Sequence, residues 1–322
     1  MKYKVYPTGT DLNLLKKSLE EADISSLFLS REIDKVLVAL VDFLNPVRQS
    51  LDRRPGSGEG FLVRKRAPNA NDADDVNDTD TFTEGTGDYT EVFSPYKTIG
   101  TQGKVSRRVQ KTGRSLADLL REEMESQARE VRNAEETRIY FGNHPVVNAK
   151  QWDGLAKIMD DNPAQIVALT TGGLGGDFTL EKMDEMLDRN IGNPGLIITS
   201  RAGRRKINAS LQAQQRFIDR TEIAGGFRVT TYNDIPVVPT TNIPDTIQFD
   251  SSGKVTSLIG GSSTLIFSID LQDVFMSVLT ELTTMPLARI SSQFETFDIF
   301  MDETLVVRDN RHVSMLAALK IL

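Results

Sequence analysis

The sequence predicts an α+β protein in which helices and strands alternate irregularly, without a repeated βαβ unit. Three observations predict this class. A helical pattern covers residues 115–141, strand and helix patterns are mixed between residues 165 and 239, and strand patterns dominate residues 265–321. The chain therefore combines one long helix with sheets whose strands come from distant parts of the sequence.

The first 45 residues carry two helical patterns. Residues 10–22 and 30–44 both place apolar side chains three and four positions apart, and Asn45-Pro46 ends the second pattern. The second pattern has a wide apolar stripe between Ile33 and Leu44. This stripe needs a cover, which is either the chain's own core or a neighbouring subunit.

Residues 52–112 predict a long two-stranded arm. Residues 52–60 have the composition of a loop, and residues 61–66 and 103–111 have strand patterns. Residues 67–96 hold eight acidic side chains and no basic one. An isolated hairpin is marginally stable in water, so we expect this arm to depend on contact with another chain.

The pattern over residues 115–141 predicts the longest helix. Ser115 and Asp118 resemble a capping box, and Gly142 stands where a helix ends. Its apolar stripe is narrow, so most of its surface should meet water or polar partners. Further strands are predicted at 165–169, 195–200, 226–232, 235–239, 265–269, 275–279, 294–301, 304–307 and 315–321, and further helices at 178–189 and 201–217.

Composition excludes several classes of protein. The chain has 322 residues, 39% of them hydrophobic, which is enough for a core. With 38 basic and 45 acidic residues the net charge is -7, so the surface as a whole is not built to coat nucleic acid. There is no cysteine, and the two histidines, His144 and His312, are far apart in sequence. We therefore predict no metal, no cofactor and no disulfide.

No membrane or export segment is predicted. The most apolar window, residues 33–44, is short and contains three charged residues. The first residues lack the apolar core of a signal peptide. We expect the protein to remain in the cytoplasm in which it is made.

A glycine-rich segment, Gly172–Gly176, lies between a predicted strand and a predicted helix. A dinucleotide fingerprint that starts at Gly173 would need a third small residue where Phe178 stands, and the phosphate-loop motif is absent. A flexible turn is the favoured interpretation, with a nucleotide loop as the alternative.

The acidic run between residues 67 and 96 could bind calcium. Counted from Asp75, an EF-hand loop would need glycine where Asp80 stands and glutamate where Thr86 stands. The motif therefore fails. A loop facing solvent or a partner is favoured over loose cation binding.

Two basic clusters lack the interleaved aromatic residues that stack on nucleic-acid bases. They are Arg201, Arg204, Arg205 and Lys206, and Lys104, Arg107, Arg108, Lys111 and Arg114. Pairing with acids, within or between chains, is favoured over specific nucleic-acid binding. No nucleophile motif or opposed carboxylate pair appears either, so no enzyme is predicted.

An ordered set of motifs over residues 50–322 resembles the major capsid proteins of tailed bacteriophages, which have the Hong Kong 97-type fold. The motifs are Thr83-Glu84-Gly85, Tyr140-Phe141-Gly142-Asn143, Gln151-Trp152-Asp153-Gly154-Leu155, Asn193–Ser200, Gly226–Val229 with Asp234–Val238, Phe297-Asp298-Ile299 and Thr304–Arg308. One departure is Asp234, which stands where the family commonly has glycine.

The resemblance implies five segments. They are an N-terminal helical arm (1–51), an extended E-loop hairpin (52–112), a peripheral domain with a spine helix (113–165), an axial domain (166–282), and C-terminal strands that complete the peripheral domain (283–322). It also implies a shell of hexamers and pentamers around double-stranded DNA, assembled in the host cytoplasm. The DNA would be held without sequence specificity, and portal, scaffold or decoration proteins would be further partners.

Two alternatives remain open: an encapsulin-type compartment, and a soluble enzyme with a glycine-rich nucleotide loop. On the capsid interpretation, the acidic arm is expected to dock on basic surface of an adjacent subunit. The candidate contact residues are Asp72, Asp74, Asp75, Asp78, Asp80, Glu84, Lys104, Arg107, Arg108, Lys111 and Arg114. Arg121, Arg129 and Arg132 on the long helix are further candidate receivers.

Overall fold

The structure is a computed structural model. It describes residues 45–66, 75, 77, 89–106, 108, 119–144, 150–169, 175–213, 220–223, 227–286 and 293–321. The helices predicted at residues 10–22 and 30–44 lie outside these ranges, as do Ser115 and Asp118.

The described residues form five α-helices and fifteen strands. The helices are α1 (Pro46–Ser50), α2 (Leu119–Phe141), α3 (Leu155–Asp161), α4 (Leu180–Arg189) and α5 (Arg201–Ala213). The strands are β1 (Asp52–Pro55), β2 (Gly60–Arg66), β3 (Tyr89–Pro95), β4 (Lys97–Ser106), β5 (Ile166–Ala168), β6 (Leu196–Ser200), β7 (Arg220–Ile223), β8 (Phe227–Tyr232), β9 (Ile235–Thr240), β10 (Gln248–Phe249), β11 (Val255–Ser257), β12 (Ser263–Ile269), β13 (Val274–Pro286), β14 (Phe294–Val307) and β15 (Val313–Lys320). None of these helices is long and apolar enough to cross a membrane.

Two compact units divide the chain. The described part of the first unit lies within Thr98–Ala134 and Thr280–Asp302. The second comprises Phe43–Lys97, Glu135–Leu279 and Glu303–Leu322. Helix α2 and strands β13 and β14 each contribute residues to both units.

The second unit contains a seven-stranded mixed sheet with the order β5-β15-β12-β6-β9-β8-β7. Helices α4 and α5 share one buried cluster with this sheet, in which Met183 and Met186 of α4 and Ile207 of α5 are almost fully buried. Full burial of such side chains stabilises a fold by about 1.5–3 kcal/mol each. Leu187 of α4 packs against the same cluster, so one side of the helix faces the sheet.

A tight turn joins β8 to β9, which pair antiparallel up to Tyr232 and Ile235. Both turn residues have left-handed backbone, with φ of 49° at Asn233 and 64° at Asp234. Two consecutive positive φ values are typical of a type I′ hairpin turn, in which asparagine, aspartate and glycine are favoured. Asp234 therefore adopts the conformation that glycine would supply.

The first unit combines the N-terminal part of α2 with three neighbouring strand segments from β13, β14 and β4. It contains polar side-chain contacts, for example Thr101 Oγ1 to Gln127 Oε1 at 2.8 Å, as well as buried apolar side chains such as Ile99, Phe297 and Met301. Between residues 121 and 130 of α2 every side chain is exposed or only half-buried. The narrow apolar stripe predicted for this helix is thus confirmed over residues 121–130, whereas residues 131, 135, 136 and 139–141 are buried.

Three predictions about the arm and the last strands need correction. The return strand that pairs with β2 is Tyr89–Pro95, not residues 103–111, and residues 97–106 form β4 next to β14. Residues 52–55, predicted as loop, form β1, which pairs in parallel with β13. The two strands predicted at 294–301 and 304–307 are the single strand β14. Helix α3 was not predicted.

Candidate subunit-contact surfaces

Strands β2 and β3 form a separate two-stranded ribbon, paired from Gly60–Pro95 to Arg66–Tyr89. Six of the seven side chains of β3 are exposed. They include large apolar groups, since Tyr89 is 66% exposed and Phe93 is 53% exposed. Leu62, the register partner of Phe93, is exposed as well. A marginal ribbon that shows apolar side chains to solvent is typical of a surface that another protein covers.

The start of the ribbon is fixed to β13. The Phe61 ring meets the edge of the Phe275 ring at a centroid distance of 5.4 Å, and the Arg54 guanidinium lies 4.0 Å over the same ring. Tyr96 Oη and Ser277 Oγ are hydrogen-bonded at 2.8 Å. A Cβ atom at Gly56 would lie 1.9 Å from the Tyr96 hydroxyl oxygen, so a larger residue there would displace the Tyr96 side chain. The first residues of the ribbon are therefore held in place.

A cluster of buried charges lies behind this region, and we call it the buried charge cluster: Arg48, Arg53, Glu135, Glu136 and Glu303. Glu135 accepts from Arg53 Nη1 at 2.6 Å and also from Arg48 Nε. Arg53 Nη2 donates to Glu303 at 2.9 Å. All three glutamates are fully buried. The cluster joins α1 and β1 to the C-terminal end of α2 and to β14.

Burial changes the acidity of two members of this cluster. Desolvation raises the pKa of Glu136 from 4.5 to about 7, although hydrogen bonds from Tyr140 and Thr240 act in the opposite direction. Desolvation, followed by the charge of Glu135, also raises the pKa of Glu303, against the effect of Arg53. The cluster therefore holds more protons near neutral pH than three exposed glutamates would.

A second group of ionisable side chains surrounds His312. Its Nδ1 atom lies 3.2 Å from Asp270 Oδ2 and 2.7 Å from Asp273 Oδ2. Donor atoms so close together could hold a metal ion. The carboxylates have other partners, however, since Asp270 accepts from the backbone N–H of Gln272 and Asp273 lies 3.6 Å from Arg308. The hydrogen bonds lower the pKa of Asp270 although its burial opposes this.

Few of the contact residues predicted from the sequence lie in the described ranges. Asp75 and Arg108 are both exposed. The Lys104 ammonium lies 3.8 Å over the Phe294 ring. The residues outside the described ranges are Asp72, Asp74, Asp78, Asp80, Glu84, Arg107, Lys111 and Arg114. With only Asp75, Lys104 and Arg108 of this set described, the pairing of the acidic and basic groups stays a prediction.

The described end of the glycine-rich segment is part of the sheet. Gly176 donates to the carbonyl of Ala318 and accepts from the N–H of Lys320, at 2.9 and 3.0 Å. A Cβ atom at Gly176 would lie 1.9 Å from the carbonyl oxygen of Leu169. At this position glycine is explained by the close approach of two backbones.

Solved structures share this fold along almost the whole chain. The SrpI encapsulin complex of Synechococcus elongatus PCC 7942 superposes with a TM-score of 0.68 at 14% identity, covering 95% of this chain and 97% of that one. The capsid of cyanophage A-1(L) gives a TM-score of 0.66 at 12% identity, covering 92% and 99%. Mycobacterium phage Bobi gives 0.62 at 11% identity, covering 94% and 99%. The fold is thus the Hong Kong 97-type capsid fold.

The sequence narrows this class to a family. Residues 18–320 match the family described as SU10 major capsid protein, and the chain belongs to that family. No curated protein matches the sequence. The chain is therefore a major capsid protein of the tailed-bacteriophage type, a structural protein that self-assembles into the capsid shell of a virion, as the motifs predicted.

Proposed function

We propose that the shell built by this protein encloses the double-stranded DNA genome of a tailed phage, and that its subunits form hexamers and pentamers in the host cytoplasm. The observation that carries the proposal is the β2/β3 ribbon, whose exposed Leu62, Tyr89 and Phe93 give it little stability of its own. Family membership and the likeness to phage capsids support the same assignment.

An encapsulin-type compartment is the alternative, and the likeness to SrpI favours it. The two differ in content, since a phage shell holds DNA and an encapsulin holds protein. Native particles should therefore be treated with nuclease and then opened. Protected DNA of uniform length supports the phage assignment, whereas particles filled with an enzyme and free of DNA would contradict it.

We further propose that the protein is not an enzyme. The sequence matches neither the nucleophile motif nor the nucleotide-binding motifs considered above, and the chain belongs to a family of structural proteins. Both observations support the proposal. A purified shell should turn over no substrate. Turnover that one point substitution abolishes would instead favour the enzyme alternative.

The five segments named above, from the N-terminal arm (1–51) to the C-terminal strands (283–322), are proposed as the working parts of the shell. Packaged DNA would be enclosed without sequence-specific contacts. The chain carries a net charge of -7, so much of its surface would repel DNA. Portal, scaffold and decoration proteins are proposed as further partners.

We also propose that the acidic arm docks on basic surface of an adjacent subunit. Its eight acids in residues 67–96 repel one another, and the described Asp75 and Arg108 are both exposed. Exposed pairs contribute only about 0.2–1 kcal/mol each, but a shell repeats them at every interface. Salt should weaken the contact, because the Debye length is about 10 Å at 0.1 M.

Charge reversal tests this docking. The double variant Arg107→Glu, Arg108→Glu should block assembly, and adding Asp74→Lys with Asp75→Lys should partly restore it. The matched control Arg107→Lys, Arg108→Lys keeps the charge and should assemble normally. Normal assembly of the Arg107→Glu, Arg108→Glu variant at low salt would contradict the proposal.

A further inference from the structure

Helix α5 presents a basic face that the rest of the described chain leaves without an ion pair. Arg201, Arg204 and Arg205 lie three and four positions apart, so they share one side of the helix, and we call them the basic face. Arg201 and Arg205 are exposed and Arg204 is half-buried. The buried Ile207 and Leu211 lie next to Arg204 around the helix, which explains why Arg204 is only half-buried whereas Arg201 and Arg205 are exposed.

Helix α4 presents a matching acidic face: Glu181, Asp184 and Asp188. These residues are also three and four positions apart, and all three are exposed. Asp184 accepts a hydrogen bond from Tyr232. Within the described residues neither Glu181 nor Asp188 has an ion pair.

The nearby charges of α4 are already paired with one another. Glu185 accepts from Lys182 at 2.6 Å and from Arg189 at 2.6 Å. The basic residues of α4 are thus engaged on a different side of the helix. The helices that carry the two faces both contribute to the same buried cluster of the second unit.

We propose that the basic face of one subunit binds the acidic face of α4 of the next subunit in the shell. Two different faces of one chain that complement each other make a head-to-tail contact, which generates a ring where the rotation between subunits closes, as in a capsomer. A polyanion such as DNA is a poorer occupant, because the acidic face in the same helix layer would repel it. This proposal rests on the proposed assembly into capsomers and names two of the surfaces that meet.

A charge swap tests the contact. Arg201→Glu with Arg205→Glu, and separately Glu181→Lys with Asp188→Lys, should each weaken assembly about tenfold or more at low salt, because every ring contact then opposes like charges. The quadruple variant, which combines all four substitutions, should assemble as the unmodified protein does. Assembly is measured by light scattering and electron microscopy, and circular dichroism checks that each variant is folded.

Mixing separates a contact defect from a folding defect. One double variant has two acidic faces and the other has two basic faces. In an equimolar mixture, opposite charges meet at every contact only if the two variants alternate around the ring. The mixture should therefore form rings with an even number of subunits. The control Arg201→Lys, Arg205→Lys keeps the charge and should assemble normally.

Three results would overturn the contact. The first is normal assembly of either charge-reversed variant. The second is failure of both the mixture and the quadruple variant to assemble. The third is that the Arg201→Glu, Arg205→Glu variant forms normal shells that contain less nucleic acid. The last result would assign the basic face to DNA. Each leaves the shell function intact, whereas an unmodified protein that never assembles would instead contradict the proposed function.

Discussion

Arg53 and Glu135 form an ion pair with an N–O distance of 2.6 Å, which ties β1 to the C-terminal end of α2. The Glu135 side chain is fully buried and that of Arg53 is 19% exposed. Arg48 forms an ion pair with the same carboxylate, and the other terminal guanidinium nitrogen of Arg53, Nη2, forms an ion pair with Glu303. The segment that leads into the ribbon is therefore held by charges that are almost free of water.

Replacing Arg53 by alanine should destabilise the subunit strongly. Removing one partner of a buried pair leaves an uncompensated charge and typically costs about 3–5 kcal/mol. Guanidinium unfolding can be followed by the fluorescence of Trp152, the single tryptophan of the chain. Arg121→Ala is the matched control. Arg121 pairs with Glu125 on the surface and is 78% exposed, so its loss should cost less than about 1 kcal/mol. Equal losses for both variants would contradict the prediction.

Stability should fall as the pH rises through the range in which Glu136 ionises. Its pKa is raised from 4.5 to about 7, so between these values the folded state binds more protons than the unfolded state. The contribution is fully present below about pH 4.5 and is lost as the pH passes about 7. A shift of this size corresponds to about 3 kcal/mol.

Glu136→Gln isolates this contribution, because glutamine stays neutral and can still accept from Tyr140 and Thr240. Thermal unfolding of the variant should match that of the unmodified protein at pH 5 and exceed it at pH 8. A variant whose advantage does not grow between these two pH values would show that Glu136 does not titrate as expected.

The shell should be non-covalent. Some relatives of this fold cross-link a lysine of the extended loop to an asparagine of a neighbour, but the tip of the predicted loop, residues 67–96, contains no lysine, and Lys65 and Lys97 flank it near the base. The chain also lacks cysteine. Boiling native particles in detergent should give a single band near 35.8 kDa. A ladder of multimers that survives this treatment is the contrary outcome.

Chelation should leave the particle unchanged. The group formed by Asp270, Asp273 and His312 is the place among the described residues where a metal ion could bind. Hydrogen bonds and Arg308 already compensate its carboxylates, so we expect no metal to be required. The measurement is the unfolding temperature before and after dialysis against EDTA. A large drop that zinc or manganese reverses would disprove this, and Asp273→Asn should then abolish the rescue.

Strands and helices with a buried face could be predicted from the sequence. β6, β12 and β15 are buried along nearly their whole length, and α4 buries one side, so their apolar patterns are clear. Strand β3 could not be predicted, because six of its seven side chains are exposed and no pattern of alternating burial marks it. The pairing of β2 was therefore assigned to the wrong segment.

The buried charge cluster was missed for a related reason. In the sequence Glu135 and Glu136 look like ordinary surface residues of a polar helix, and their partners lie far away, at Arg48, Arg53 and Glu303. Only the tertiary fold shows that these five ionisable residues lie together in one largely buried cluster. A weak signal was present, since Glu135 and Glu136 lie four and three positions before Ile139, where the apolar end of α2 begins.

Strand β15 occupies an inner position of the seven-stranded sheet, between β5 and β12, although it is the last of the strands in chain order. Seven of its eight side chains are buried. During translation, residues 166–168 and 263–269 therefore leave the ribosome before the strand that joins them has been made. Because β15 joins these strands, the seven-stranded sheet cannot be completed until residue 320 has left the ribosome, and no shorter nascent chain supplies a finished second unit.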